Sequence, residues 1–135
     1  MIIWLASYPK SGNTLLRSIL ATYFFSNDGE FRFDHLYKIQ QFPAIDHFKN
    51  LNIDLSNEKA VFENFIQAQN YLNNDKKLKF LKTHSCLVKI NNSKFTDLNN
   101  TLGAIYVVRD PRNVVTSFSH HYDLSLEEAT DVMID

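Results

Sequence analysis

Lys10, Ser11 and Thr14 crowd around Gly12 in Tyr8-Pro9-Lys10-Ser11-Gly12-Asn13-Thr14, a stretch that follows the apolar run Ile2-Ile3-Trp4-Leu5-Ala6. An ammonium and two hydroxyls beside a glycine turn suit an anion, and a phosphate above others. The helix that opens after the turn adds main-chain N–H groups and the positive end of its dipole. The order differs from the Walker loop, GxxxxGK[ST], because Lys10 comes two positions before Gly12 instead of directly after it. On this loop alone, a surface turn with a solvated lysine is an equal reading.

Two further groups of residues carry chemistry. Leu81-Lys82-Thr83-His84 pairs a cation with an imidazole whose ordinary pKa lets it accept a proton near neutral pH. A lone histidine after a strand is more often structural than catalytic. Arg109, at the end of a later apolar run, is a guanidinium fork with fixed donors, and Ser117 is a hydroxyl on the helix that follows. Their bland readings are a salt-bridge arginine and a helix-face serine. His35 and His47 have no HxxxH spacing or carboxylate ligand pattern beside them and read as surface or packing histidines.

The elements that must position these groups follow from periodicity. Ile2 to Ala6 is a short strand. Leu15, Leu16, Ile19, Leu20, Tyr23 and Phe24 then recur at helical spacing, with Asn13 or Thr14 as cap and Ser26-Asn27-Asp28-Gly29 as stop. Residues 30–55 are apolar without a clean period, and Pro43 breaks any long helix, so an irregular excursion with one short helix is expected. A second amphipathic helix follows Ser56 or Asn57, with Val61, Phe62, Phe65, Ile66 and Leu72 on its core face. Lys76, Lys77 and Lys79 belong to a solvated turn. A strand over 78–83 ends at His84, so in an open parallel sheet Lys82 and His84 reach the same edge as Lys10.

Residues 86–102 read as a mostly exposed connection with turns at Asn91-Asn92-Ser93 and Asn99-Asn100. The glycosylation sequon that Asn91 opens is idle in a cytosolic chain. Gly103 to Val108 is a continuous apolar run, expected as a central strand buried on both faces. Asp110 as N-cap and Pro111 as first helical residue open the next helix, with Val114, Val115, Phe118 and Tyr122 inward. His120 and His121, near its end, face solvent or the acceptor side. Ser125 and Glu128 form a capping box for a last helix bearing Ala129, Val132 and Met133; with no room for a C-cap before Asp135, truncation is expected. No repeat, low-complexity segment or linker interrupts the chain, which reads as one domain over residues 1–135.

Composition bounds the function. The 135 residues are 44% hydrophobic with a net charge of −1, enough for one core and without the field of a nucleic-acid or membrane-surface binder. Cys86 is the single cysteine, which excludes an internal disulfide and a cysteine-rich zinc site, and it is expected to be an ordinary buried thiol. An apolar run of five residues, without a basic n-region before it, is too short for a signal peptide or a membrane span, so a cytoplasmic protein is expected.

Taken together, Tyr8 to Thr14, Leu81 to His84, and Arg109 with Ser117 resemble, in order, the motifs of sulfotransferases that use 3′-phosphoadenosine 5′-phosphosulfate (PAPS). The resemblance implies an α/β fold, a P-loop nucleotide-kinase-like three-layer sandwich around a central parallel sheet, of which this chain carries the amino-terminal, PAPS-binding portion. It implies transfer of a sulfuryl group to a hydroxyl or amine of a small molecule, with no metal. Lys10, Ser11, Gly12, Asn13, Thr14 and Leu15 would then surround the 5′-phosphate end of the nucleotide. Arg109 and Ser117 would hold the 3′-phosphate, and His84, Lys10 and Lys82 would be catalytic. Asn13 stands where many cytosolic members have threonine, and Leu15 where they have tryptophan, which removes an aromatic face for adenine. The glycine-rich segment that closes over the nucleotide has no counterpart here, so a non-catalytic PAP- or PAPS-binding fragment is the alternative. A P-loop kinase is third, for want of GxxxxGK[ST] and a magnesium-holding acid. Acceptor identity and oligomeric state are not encoded in these motifs.

Overall fold

The computed structural model describes residues 1–90 and 92–134. Its centre is β1, Ile2–Ser7, an almost wholly apolar strand whose alternate side chains enter two different cores. β2, Lys79–Thr83, pairs parallel with one edge of β1, bringing Trp4 opposite Leu81 and Ala6 opposite Thr83. A pair of two-residue strands, β3 (Lys89–Ile90) and β4 (Ser93–Lys94), forms a small antiparallel ribbon. β5, Thr101–Val107, pairs parallel with the other edge of β1, so the sheet order is β2-β1-β5. Residues 40–42 lie along the free side of β2: Lys82 N–H donates to Gln40 O and Phe42 N–H to Lys82 O, both at 2.8 Å.

On one face of the sheet, Leu5 packs with Ala21 and Ile39, supported by Leu16, Leu20 and Phe80. Here lies α1, Asn13–Phe25. The other face carries the larger, aromatic core, in which Trp4 meets Phe42 and Phe95, and Phe42 and Phe48 meet Phe65. Each such side chain taken fully from water contributes roughly 1.5–3 kcal/mol. The excursion over 30–55 supplies Phe42 and Phe48 from two short 3-10 turns and their flanks, Phe33–Lys38 and Ile45–Phe48. Both histidines of this region are buried packing residues. His47 stacks on Phe42, accepts the Ala44 N–H at Nδ1 (3.2 Å) and faces Gln40 Oε1 with Nε2.

Several expectations are corrected. The single helix after Asn57 is two, α2 (Glu58–Glu63) and α3 (Phe65–Asn73), because Asn64 leaves helical geometry and turns its side-chain amide back to Ala60 O. The apolar run Gly103 to Val108 is not the central strand: β5 lies beside β1 with Leu102, Ile105, Tyr106 and Val108 exposed. An apolar run states that a strand has two faces to cover, but the crossovers on either side of β1 decide which strand is central. α1 likewise keeps Leu15, Ile19 and Tyr23 exposed. The 86–102 connection is mostly exposed, as expected, but sends Phe95 and Asn100 inward. Cys86 is exposed instead of buried. The turn expected at Asn91 lies outside the described residues.

A polar chain ties this connection to the sheet. Trp4 Nε1 donates to Thr101 Oγ1 (2.9 Å), which stands 2.7 Å from Thr96 Oγ1; Thr96 donates to Gln69 Oε1, and the fully buried Gln69 amide donates to Phe95 O at 2.6 Å. α4, Pro111–Tyr122, opens as expected, with Asp110 Oδ1 accepting from Arg112 N at 2.9 Å. Val114 and Phe118 are buried, while Tyr122 is exposed. The capping box of α5, Leu126–Ile134, is formed in both directions, Ser125 N to Glu128 Oε2 and Glu128 N to Ser125 Oγ. No helix among the described residues is long and apolar enough to cross a membrane.

Candidate active site

The order β2-β1-β5 makes β1 a switch point, since the chain forms β2 on one side of it and then crosses over to form β5 on the other. Ligands gather beyond the carboxyl ends of strands at such a point, and here the three strand ends are those that carry the motifs. The loop 8–12 leaves β1, His84 follows β2, and Arg109 follows β5.

The loop's shape rests on two residues with left-handed backbone. Gly12 has φ 106°, which side-chain-bearing residues rarely adopt, although a Cβ there would meet nothing closer than Val107 Cγ1 at 3.9 Å. Lys10 has φ 64°. Gly12 is also the cap of α1, in place of the expected Asn13 or Thr14, and no side chain caps the helix. The first-turn N–H groups therefore remain open to an incoming acceptor. Asn13 is buried, and its amide donates to Leu5 O (2.8 Å) and Ser7 Oγ (3.2 Å). That side chain braces the end of β1 from below and does not face the turn.

Lys82 is half-buried; burial first, then the Arg17 charge, push its ammonium below the ordinary lysine pKa. Its Nζ donates to Gln41 Oε1 at 3.1 Å. The strand ends where Thr83 Oγ1 accepts from Ser85 N, and His84 emerges half-buried. His84 Nδ1 stands 2.7 Å from Ser7 O. Burial and, to a smaller degree, the Lys82 charge lower the imidazole pKa below its ordinary 6.5, against the opposing pull of the Ser7 carbonyl. At neutral pH the ring is thus mostly uncharged, the state in which it accepts a proton.

Two cavities meet at this histidine. The polar one, about 540 Å³, is lined by Lys10, Gly12, Asn13, Thr14, Lys82 and Ser117, with Gln41, His84, His121 and Tyr122. The apolar one, about 730 Å³, is lined by Trp4, Ala6, Leu87, Phe95 and Tyr106 and again by His84. Of the residues expected at the site, the structure gathers Lys10, Gly12, Asn13, Thr14, Lys82, His84 and Ser117 around one cavity. Ser11 is buried within the loop, Leu15 projects outward, and the exposed Arg109 touches the loop from outside, with Nη1 3.2 Å from Lys10 O. Gln41 and the Ser7 carbonyl are members that sequence reasoning did not find. Gln41 carries no signal, because it sits in the aperiodic excursion and reaches the site only by lying along β2.

The donors suit a nucleotide with separated phosphates: an open helix start, two ammonium groups, a hydroxyl on α4 and a guanidinium nearby. A family model described as the sulfotransferase domain matches residues 2–134. Among curated proteins, the luciferin sulfotransferase of Photinus pyralis is 28% identical over 124 residues, which cover 88% of this chain and 32% of that protein. The chain therefore spans about a third of the length of that relative. No solved structure matches it significantly. A match that runs from β1 to the end of α5, over the strand ends that precede Lys10, His84 and Arg109, identifies the chain as a member of the sulfotransferase family.

Proposed function

We propose that the chain is the PAPS-binding portion of a sulfotransferase domain, in a nucleotide-kinase-like three-layer sandwich, and that it serves sulfuryl transfer to a hydroxyl or amine of a small molecule. One observation carries this: Lys10 of the loop after β1, Lys82 and His84 of β2 and its end, and Ser117 of α4 border one polar cavity, and His84 alone of these also borders the apolar one. PAPS, when bound, supplies the sulfuryl group and a phosphate leaving group. Main-chain N–H groups of the loop and α1, with Ser11 and Thr14, hold the 5′-phosphate; Arg109 and Ser117 hold the 3′-phosphate. His84 takes the proton from an acceptor that approaches through the apolar cavity. Lys10 stabilises charge on the departing phosphate oxygen, and Lys82 on the sulfuryl oxygens. The free, exposed thiol of Cys86 fits a reducing, cytoplasmic setting.

The test is transfer of labelled sulfate from PAPS to a panel of hydroxyl and amine acceptors, with calorimetry of 3′-phosphoadenosine 5′-phosphate (PAP) on the same protein. Transfer that depends on His84 is expected. Binding of PAP without transfer to any acceptor would make the chain a nucleotide-binding module, and absence of both would remove the reading.

A further inference from the structure

His84 has two nitrogens, and only one tautomer leaves a lone pair at the end of the ring remote from the main chain. Nδ1 is 2.7 Å from Ser7 O, and 3.3 Å from Ser7 Oγ. A carbonyl oxygen only accepts, so a contact of 2.7 Å places the proton on Nδ1. The other tautomer would set two lone pairs against each other at that distance and keep, in exchange, a longer and weaker bond from the Ser7 hydroxyl. No described residue hydrogen-bonds Nε2. Ser7 is itself held. It is buried at the end of β1, and the buried Asn13 amide spends both of its hydrogens on Leu5 O and Ser7 Oγ. Reversing the Asn13 amide would oppose its oxygen to the Leu5 carbonyl, so the donor assignment is forced.

We propose that Ser7 and Asn13 are positioning residues for His84: the Asn13 amide fixes the end of β1, and the Ser7 carbonyl holds the imidazole in the Nδ1–H form with Nε2 as its lone-pair nitrogen. Asn13 thereby links the phosphate loop to the base, since its main chain opens α1 while its side chain fixes the strand end on which His84 rests. The catalytic meaning of this arrangement rests on the proposed role of His84 as base; the tautomer does not.

The experiment is ¹⁵N NMR of the imidazoles of the full chain at a pH well above the ring's pKa, with His84 assigned by its loss in His84→Ala. Wild type is expected to show a protonated Nδ1 and a bare Nε2. Ser7→Ala keeps that pattern, because the carbonyl remains and the Asn13 amide still holds the strand end through Leu5 O. Asn13→Leu shifts the ring to a mixture of tautomers and, in the transfer assay, lowers kcat about 10-fold, part of the ~10²–10⁴ a positioned base supplies, with KM for PAPS changed less. Should Asn13→Leu not fold, Asn13→Asp, which keeps the size and removes both donors, takes its place. A proton on Nε2 in wild type overturns the proposal outright, and an unchanged tautomer in the folded Asn13 variant overturns Asn13's part in it. A correct tautomer in a chain that transfers no sulfate leaves this proposal standing and removes the function.

Discussion

Arg109 Nη1 lies 3.2 Å from the carbonyl oxygen of Lys10, a bond between residues 99 positions apart that ties the end of β5 to the loop after β1. The guanidinium assigned to a 3′-phosphate is thus already in contact with the residue assigned to the departing phosphate oxygen. It restrains a lysine whose backbone sits in the left-handed region, where a β-carbon is unfavourable.

Arg109→Ala is therefore expected to weaken PAP binding roughly 10- to 100-fold, the range for loss of a charged hydrogen bond of about 1.5–3 kcal/mol. Lys76→Ala, in the exposed turn before β2, should change it by less than about 0.5 kcal/mol. Calorimetry on both variants decides, and equal losses would remove the 3′-phosphate assignment.

His84→Ala should reduce transfer by roughly 10²–10⁴ while leaving PAP affinity nearly unchanged. In wild type the acid limb of the rate profile should fall below pH 6.5, because burial and Lys82 hold the imidazole pKa under its ordinary value and the neutral ring is the active form. A limb above 6.5 would mean that another group is the base.

His47 makes folding stability pH-dependent. Burial depresses its folded pKa below 6.5, so the unfolded chain binds more protons, and stability present above 6.5 is lost as pH falls through the folded value. Protonation also removes the Nδ1 lone pair that accepts the Ala44 N–H. His47→Asn, which retains an acceptor but does not titrate, should flatten the loss when urea midpoints at neutral and mildly acidic pH are compared. An unchanged difference between the two pH values would refute this.

Gln69→Leu should destabilise the fold by about 1–3 kcal/mol, the cost of leaving the buried Phe95 carbonyl and the Thr96 hydroxyl without their partner. Chemical denaturation measures it, and a loss below about 0.5 kcal/mol would show that the network relaxes around the substitution.

Three pieces of local structure were legible in the amino-acid sequence because each depends on near neighbours. A glycine turn between strand and helix, a strand ending in Lys82-Thr83-His84, and an Asp110-Pro111 helix start each follow from residues within a few positions of one another. The caps at Asn57, Asp110 and Ser125 were legible for the same reason. What required the tertiary structure was set by distant partners. β1 and not β5 is central because it pairs on both edges, a fact of crossovers that no hydrophobic run records. Gln41 enters the site only because residues 40–42 lie along β2, and Arg109 touches Lys10 only because β5 lies against β1. Asn13 shows the division within one residue. Its place in the loop was evident from its neighbours, but its amide turns inward to the Leu5 carbonyl and the Ser7 hydroxyl, because buried oxygens at the end of the strand must find donors.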